Sequence, residues 1–168
     1  MVWYDNSMSQ KYVVAHFFDP QVPAANFSAA AWPLHVTFLP NFTTTWPLAE
    51  LIHKLDKLAA VAAPFDITAE GQTAFGLNED VLVTLIRPDD NVIDLHHKLL
   101  LMSHDGSFTY DTPQFIDQGF RPHATVQKDN RLHAGQTYRI GDISLVDMYP
   151  NDDIKRRAII ATFSIRGV

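Results

Sequence analysis

The alternation of apolar and polar positions changes period several times along the chain. Residues 11–18 (KYVVAHFF) are rich in β-branched and aromatic side chains and predict a strand. Residues 34–38 (LHVTF) alternate polar with apolar and predict another. Pro47 suits the first turn of a helix. After it Leu48, Leu51, Ile52, Leu55, Leu58 and Ala62 recur at helical spacing, and Pro64 ends the run. Residues 65–69 and 81–86 are short strand candidates around a turn region holding Gly71, Gly76 and Asn78. Val92, Leu95, Leu99 and Met102 mark a second amphipathic helix. Residues 103–118 follow no period and carry Phe108, Tyr110 and Phe115 among turn-forming residues, as a lid or binding loop does. Strand patterns return at 120–127, 138–147 and 157–165. Mixed strands and helices in both halves predict one α+β domain over 1–168. With a His-x-Thr strand in each half, the domain is expected to be made of two similar lobes.

Two short motifs carry the candidate chemistry. His35-Val-Thr-Phe and His123-Ala-Thr-Val share the order His, apolar, Thr, apolar. In a strand, residues i and i+2 lie on one face about 7 Å apart. His35 and Thr37 then share a face while Val36 and Phe38 enter the core; His123 and Thr125 do the same over Ala124 and Val126. Strands that meet across a cleft would bring together two imidazoles and two hydroxyls. That set suits in-line displacement at a phosphodiester. A neutral imidazole takes a proton from the attacking oxygen, a protonated one supplies the departing oxygen, and the hydroxyls donate to the non-bridging phosphate oxygens. An ordinary imidazole pKa near 6.5 keeps both forms accessible, and the scheme calls for no metal or cofactor. Chance gives roughly 0.6 His-x-Thr triplets in a chain of this composition, and about 0.1 once both apolar positions are required. The structural alternative is a strand histidine bonded to its own threonine.

Charge changes the picture of the substrate. Lys and Arg number 13 against 19 Asp and Glu, a formal charge of −6. Binding of long nucleic acid needs a basic face, so a short anionic substrate in a locally basic cleft is expected instead. Arg121, Lys128 and Arg131 flank the second motif and can neutralise phosphate. Phe108, Tyr110 and Tyr149 are candidates to stack a base. With no cysteine there is no disulfide, thiolate nucleophile or thiolate metal site. His16 alternates with Val14 and Phe18 as a core residue does; His53 and His133 look exposed. His96 and His97 are adjacent and cannot face one ligand, and His97 and His104 are poorly spaced for a metal. No Gly-x-Gly-x-x-Gly, Walker-type or Gly-x-Ser-x-Gly motif occurs. The opening residues lack a signal-peptide pattern and no apolar run reaches about 18 residues, so a cytoplasmic monomer with no membrane contact is expected.

With its two motifs 88 positions apart, the chain resembles the two-histidine (2H) phosphoesterase superfamily, which includes 2′-5′ RNA ligase-like proteins and cyclic nucleotide phosphodiesterases. Residues 121–128 (RPHATVQK) are similar to its second motif, down to the preceding Pro and a basic residue after the strand, and residues 32–38 (WPLHVTF) to its first. The resemblance implies a bilobal α+β fold with pseudo-twofold symmetric lobes, antiparallel sheets around a central cleft carrying the two His-x-Thr strands and helices on the outside. It also implies metal-independent hydrolysis of a 2′,3′-cyclic phosphate to a 2′-phosphate. The substrate would be a nucleotide, an RNA end or a related metabolite. It further implies His123 as base towards water, His35 as acid towards the leaving oxygen, and Thr37 and Thr125 as phosphate donors. RNA ligation at a 2′-5′ linkage is an alternative within the same chemistry; a non-catalytic nucleotide-binding module is another. Two departures stand out. Residues 129–135 are short and polar where members often have a helix. Asp152, Asp153, Lys155, Arg156 and Arg157 lie where an aromatic is often found.

Overall fold

The computed structural model describes residues 10–19 and 25–168. In chain order the described elements are β1 (Tyr12–Phe17), β2 (Asn26–Ser28), β3 (His35–Thr43), α1 (Leu48–Val61), β4 (Phe65–Phe75), β5 (Val81–Ile86), α2 (Asp90–His104), β6 (Thr109–Tyr110), β7 (His123–Thr125), β8 (Thr137–Ile140), β9 (Asp142–Asp147) and β10 (Arg156–Ser164). They form a six-stranded sheet in the order β2-β10-β9-β1-β3-β6 and a four-stranded sheet in the order β7-β5-β4-β8. Every pairing is antiparallel.

Both helices follow from their sequence patterns. In α1 the buried Leu51, Leu55 and Ala59 lie four residues apart on one stripe. The helix starts after Pro47 and passes into extended backbone at Ala62, ahead of Pro64. In α2, Val92, Leu95, His96, Leu99, Leu100 and Ser103 form the buried stripe, so a histidine occupies a core position. Helix α1 packs on β9 and β10, and α2 on β3. The six-stranded sheet thus has a helix-covered face, with Val14, Val36, Phe38, Ile143 and Leu145 in the main core. Its other face carries a smaller cluster of Val13, Ala15, Phe17, Val146, Met148 and Ile159, bordered by Phe27, Trp32 and Tyr149.

Several departures from the sequence pattern shape the fold around the site. The strand at 34–38 runs on to Thr43 through Pro40, which the ladder tolerates because the register with β1 slips there. Strand β4 continues through Gly71 to Phe75, again across a register shift, between Ala69 and Gln72. The single strand expected over 138–147 is two: β8 pairs with β4 and β9 with β1, and the chain changes sheets at Gly141. The strand expected over 120–127 shrinks to β7. The irregular segment 103–118 contains β6, which pairs with the end of β3, and a 3-10 turn at Pro113–Phe115. The lobes were expected to be alike; the sheets have six and four strands, and both helices lie on the larger one.

Candidate functional site: two histidine strands

The alternation expected in the motifs holds through the first and as far as Thr125 in the second, where Val126, expected in the core, lies past the end of β7 and is half-buried. Val36, Phe38 and Ala124 are buried, while His35, Thr37, His123 and Thr125 are half-buried. Directly paired residues of an antiparallel ladder share a face. Across β1, His35 lies opposite Phe17 and Thr37 opposite Ala15, which places both motif residues on the face of the smaller cluster. In the other sheet His123 lies opposite Leu85 and Thr125 opposite Val83. Strand β6 pairs with β3 only at Phe42 and Thr43. Strand β7 lies against β3, and the two histidines sit close enough that the charge of His123 acts on His35.

The two imidazoles are held in the same way. His35 Nδ1 is 2.8 Å from the Pro33 carbonyl oxygen, and His123 Nδ1 is 2.7 Å from that of Arg121. A carbonyl only accepts, so each Nδ1–H donates two residues back and each neutral ring keeps its lone pair on Nε2. Neither ring bonds its own threonine, and the hydroxyls of Thr37 and Thr125 have no hydrogen-bond partner among the described residues. Two Nε2 atoms and two hydroxyls therefore remain available to a ligand.

Burial pushes both histidines below the ordinary imidazole value. For His35 the bond to Pro33 opposes this, and the neighbouring His123 charge adds to it. For His123 the bond to the Arg121 carbonyl opposes it and the Arg121 guanidinium adds to it. Each ring also has an aromatic neighbour that the sequence did not single out. Trp32 lies 4.7 Å from His35 between ring centroids, with Phe17 at 5.7 Å. Phe75 lies edge-on to His123 at 4.8 Å. Trp32 had a signal, three positions before His35; Phe17 and Phe75 come from other strands and had none.

The other candidates divide. The Arg121 guanidinium lies over Phe75 at 4.8 Å, on the ring that abuts His123. Lys128 occupies the exposed tip of a tight turn closed by Gln127 and Asn130, with a φ of 53°. Arg131 follows, half-buried. None of these three cations forms an ion pair among the described residues. Tyr149 is more remote: its ring carries Lys11 at 5.6 Å and Arg157 at 5.9 Å, and Arg157 in turn lies 6.0 Å from Trp32. Phe108 is stacked on Phe42 at 4.6 Å and Tyr110 packs beside them, at the end of β3 away from His35. His16 is buried, with Nδ1 2.9 Å from both the Asp142 carbonyl and its carboxylate. Among the described residues no cluster of His, Asp and Glu has metal-binding geometry, and no helix is long and apolar enough to cross a membrane.

Two antiparallel sheets, two helices on the larger one and a His-x-Thr strand from each sheet define an α+β protein of the two-histidine type. Comparison with known families gives the same answer: the profile of the 2′-5′ RNA ligase superfamily matches residues 11–139, and the chain belongs to that superfamily. No curated protein matches it. Solved structures with this fold include TT0787 of Thermus thermophilus, 18% identical, with a TM-score of 0.59 over 94% of this chain and 98% of that one. A phosphoesterase is 17% identical, with a TM-score of 0.61 over 95% and 99%. E. coli LigT complexed with 3′-AMP is 16% identical, with a TM-score of 0.57 over 95% and 99%.

Proposed function

We propose that this protein is a phosphodiesterase that opens a 2′,3′-cyclic phosphate on a nucleotide, an RNA end or a related metabolite by two-histidine acid–base catalysis. The observation that carries the reading is the matched pair of imidazoles, each with Nδ1 engaged by the carbonyl two residues back and Nε2 left free. Water attacks phosphorus as one neutral Nε2 removes its proton. The bond to one ribose oxygen breaks, and the second imidazole, protonated at Nε2, delivers a proton to that oxygen. Assigning the base to His123 and the acid to His35 follows the family resemblance. Thr37 and Thr125 donate to the non-bridging oxygens, and Arg121, Lys128 and Arg131 offset the phosphate charge.

A small substrate is supported by the formal charge of −6, and by solved structures of LigT complexed with 3′-AMP, NADP+ and ATP. Ligation at a 2′-5′ linkage is the same opening of the cyclic phosphate with an RNA 5′-hydroxyl in place of water, one ribose oxygen again leaving, and the superfamily is named for it. The test is hydrolysis of the four 2′,3′-cyclic nucleotides in EDTA. Turnover is expected in the wild type and to fall about 10²–10⁴-fold in His35→Ala and in His123→Ala. Turnover that survives either substitution, or that EDTA abolishes, rejects the mechanism.

A further inference from the structure

The motif strands belong to different sheets and lie against each other without sharing a ladder. One buried ring reaches β3 and the segment that leads into β7. His96 is fully buried in α2, and its Nδ1 is 2.7 Å from the carbonyl oxygen of Phe38, the residue after Thr37. Phe38 is skipped in the ladder with β1: Val14 pairs with Leu39 and Ala15 with Thr37. The other ring nitrogen, Nε2, accepts the backbone N–H of Asp117 at 2.9 Å. The face of the ring lies on Phe120, with centroids 3.9 Å apart and planes 8° from parallel. Phe120 is three residues before His123. The backbone bond at Nε2 fixes the tautomer, because a nitrogen that accepts leaves Nδ1 to donate.

We propose that His96 is a positioning residue for the two-histidine site, tying the bulge of β3 beside Thr37 to the segment that delivers His123. Asp117 adopts a φ of 54°, a left-handed backbone that a non-glycine residue holds only when its surroundings enforce it. His96 grips its N–H, and His97 Nε2 stands 3.3 Å from its carboxylate. The same short segment is tight at Gly119, where a Cβ would fall 2.0 Å from the Gln114 carbonyl oxygen. A second proton on His96 would turn Nε2 from acceptor to donor against the Asp117 N–H. Burial and the neighbouring His97 oppose that proton, while the Phe38 carbonyl and the Asp117 carboxylate favour it. The catalytic part of this inference rests on the proposed phosphodiesterase; the positioning itself does not.

His96→Phe keeps the ring and its stack on Phe120 while removing both bonds. In the full-length protein it is expected to speed amide exchange over residues 115–125 by about 10-fold or more and to move the NMR titration of His123 towards the ordinary imidazole value. On 2′,3′-cyclic nucleotides kcat is expected to fall about 10-fold with little change in KM, as misplacement of a reacting group does. His96→Asn, whose side-chain amide can still reach the Phe38 carbonyl, should recover part of the loss. Leu99→Ala, buried in the same helix, should lower the melting temperature and leave kcat of the folded protein unchanged. Gly119→Ala disturbs the segment from the other side and should reproduce the exchange and titration changes, which covers the case in which His96→Phe does not fold. Exchange and His123 titration that stay at wild-type values overturn the proposal, as does a kcat loss that Leu99→Ala matches. If the wild type turns over no cyclic nucleotide, the proposed function falls while exchange and titration still decide the role of His96.

Discussion

The two His-x-Thr strands present the same side chains from unlike settings. Strand β3 has nine residues, pairs with β1 along its length and buries Val36, Phe38, Leu39 and Phe42 in the main core. Strand β7 has three residues, lies at the edge of the smaller sheet and buries Ala124 between its motif residues. Outside the three residues of β7 the flanking backbone is still held by β5, with Ile86 N–H donating to the Pro122 carbonyl at 2.9 Å and Val126 N–H to the Leu82 carbonyl at 3.0 Å, and the tight turn at 127–130 follows. The first motif is thus part of the fold's foundation, and the second sits on a short edge strand held by β5 on one side and packed against β3. Identical chemistry can be required of both strands while their mechanical support differs.

The sharpest way to break this comparison is to remove the apolar residue beneath each motif. Phe38→Ala empties a fully buried core site and should cost about 3–5 kcal/mol in urea unfolding. Ala124→Gly should cost only about 0.5–1 kcal/mol and act mainly on local order around His123. Equal losses would show that β7 is as deeply built into the core as β3.

Next come the hydroxyls. Thr37→Val and Thr125→Val should each lower kcat about 10²-fold if both threonines stabilise phosphate charge. A loss confined to Thr37→Val would assign charge stabilisation to the rigid strand alone.

The pH profile sharpens the comparison further. Catalysis needs one imidazole protonated and one neutral, and both are pushed below the ordinary value of about 6.5. The singly protonated pair of the free protein is then most populated below pH 6.5, so kcat/KM should peak there. A peak above 7 would contradict the burial argument. Stability has the same sign: His35, His96 and His123 bind protons less readily folded than unfolded, so stability falls as pH drops below about 6.5. His96→Phe should flatten part of that slope in urea unfolding.

The smallest effect belongs to the turn. Lys128→Ala removes an exposed cation and should raise KM a few-fold while leaving kcat nearly unchanged, with the difference shrinking in high salt. A drop in kcat instead would place Lys128 against the reacting phosphate.

Much of this was legible in the chain. The helical stripes of Leu51, Leu55 and Ala59, and of Val92, Leu95 and Leu99, needed only a period of 3.6. The His-x-Thr pattern fixed which residues share a face, because strand alternation is a local property. Where the reading failed, a distant partner had overridden the local pattern. Residues 138–147 look like one strand, yet Ile140 is claimed by Phe65 of β4 and Ser144 by Ala15 of β1, so the chain is divided at Gly141. Phe108 and Tyr110 lie in a stretch without a period, where base stacking and core packing were both open, and Phe42 holds them at the edge of the core. Phe17 and Phe75, which do flank the histidines, reach them only through tertiary packing.

By itself the sequence determined the α+β class, the two motifs with their inward and outward faces, and the absence of thiol chemistry. Those depend on residue type and short periods. Tertiary structure decided that β7 lies against β3, that each histidine donates from Nδ1 to the carbonyl two residues back, and that a helix histidine grips both motif regions through Phe38 and Asp117. These depend on contacts between residues far apart in the chain. Such contacts form only once burial of the common core has met the entropic cost of closing the loops between them.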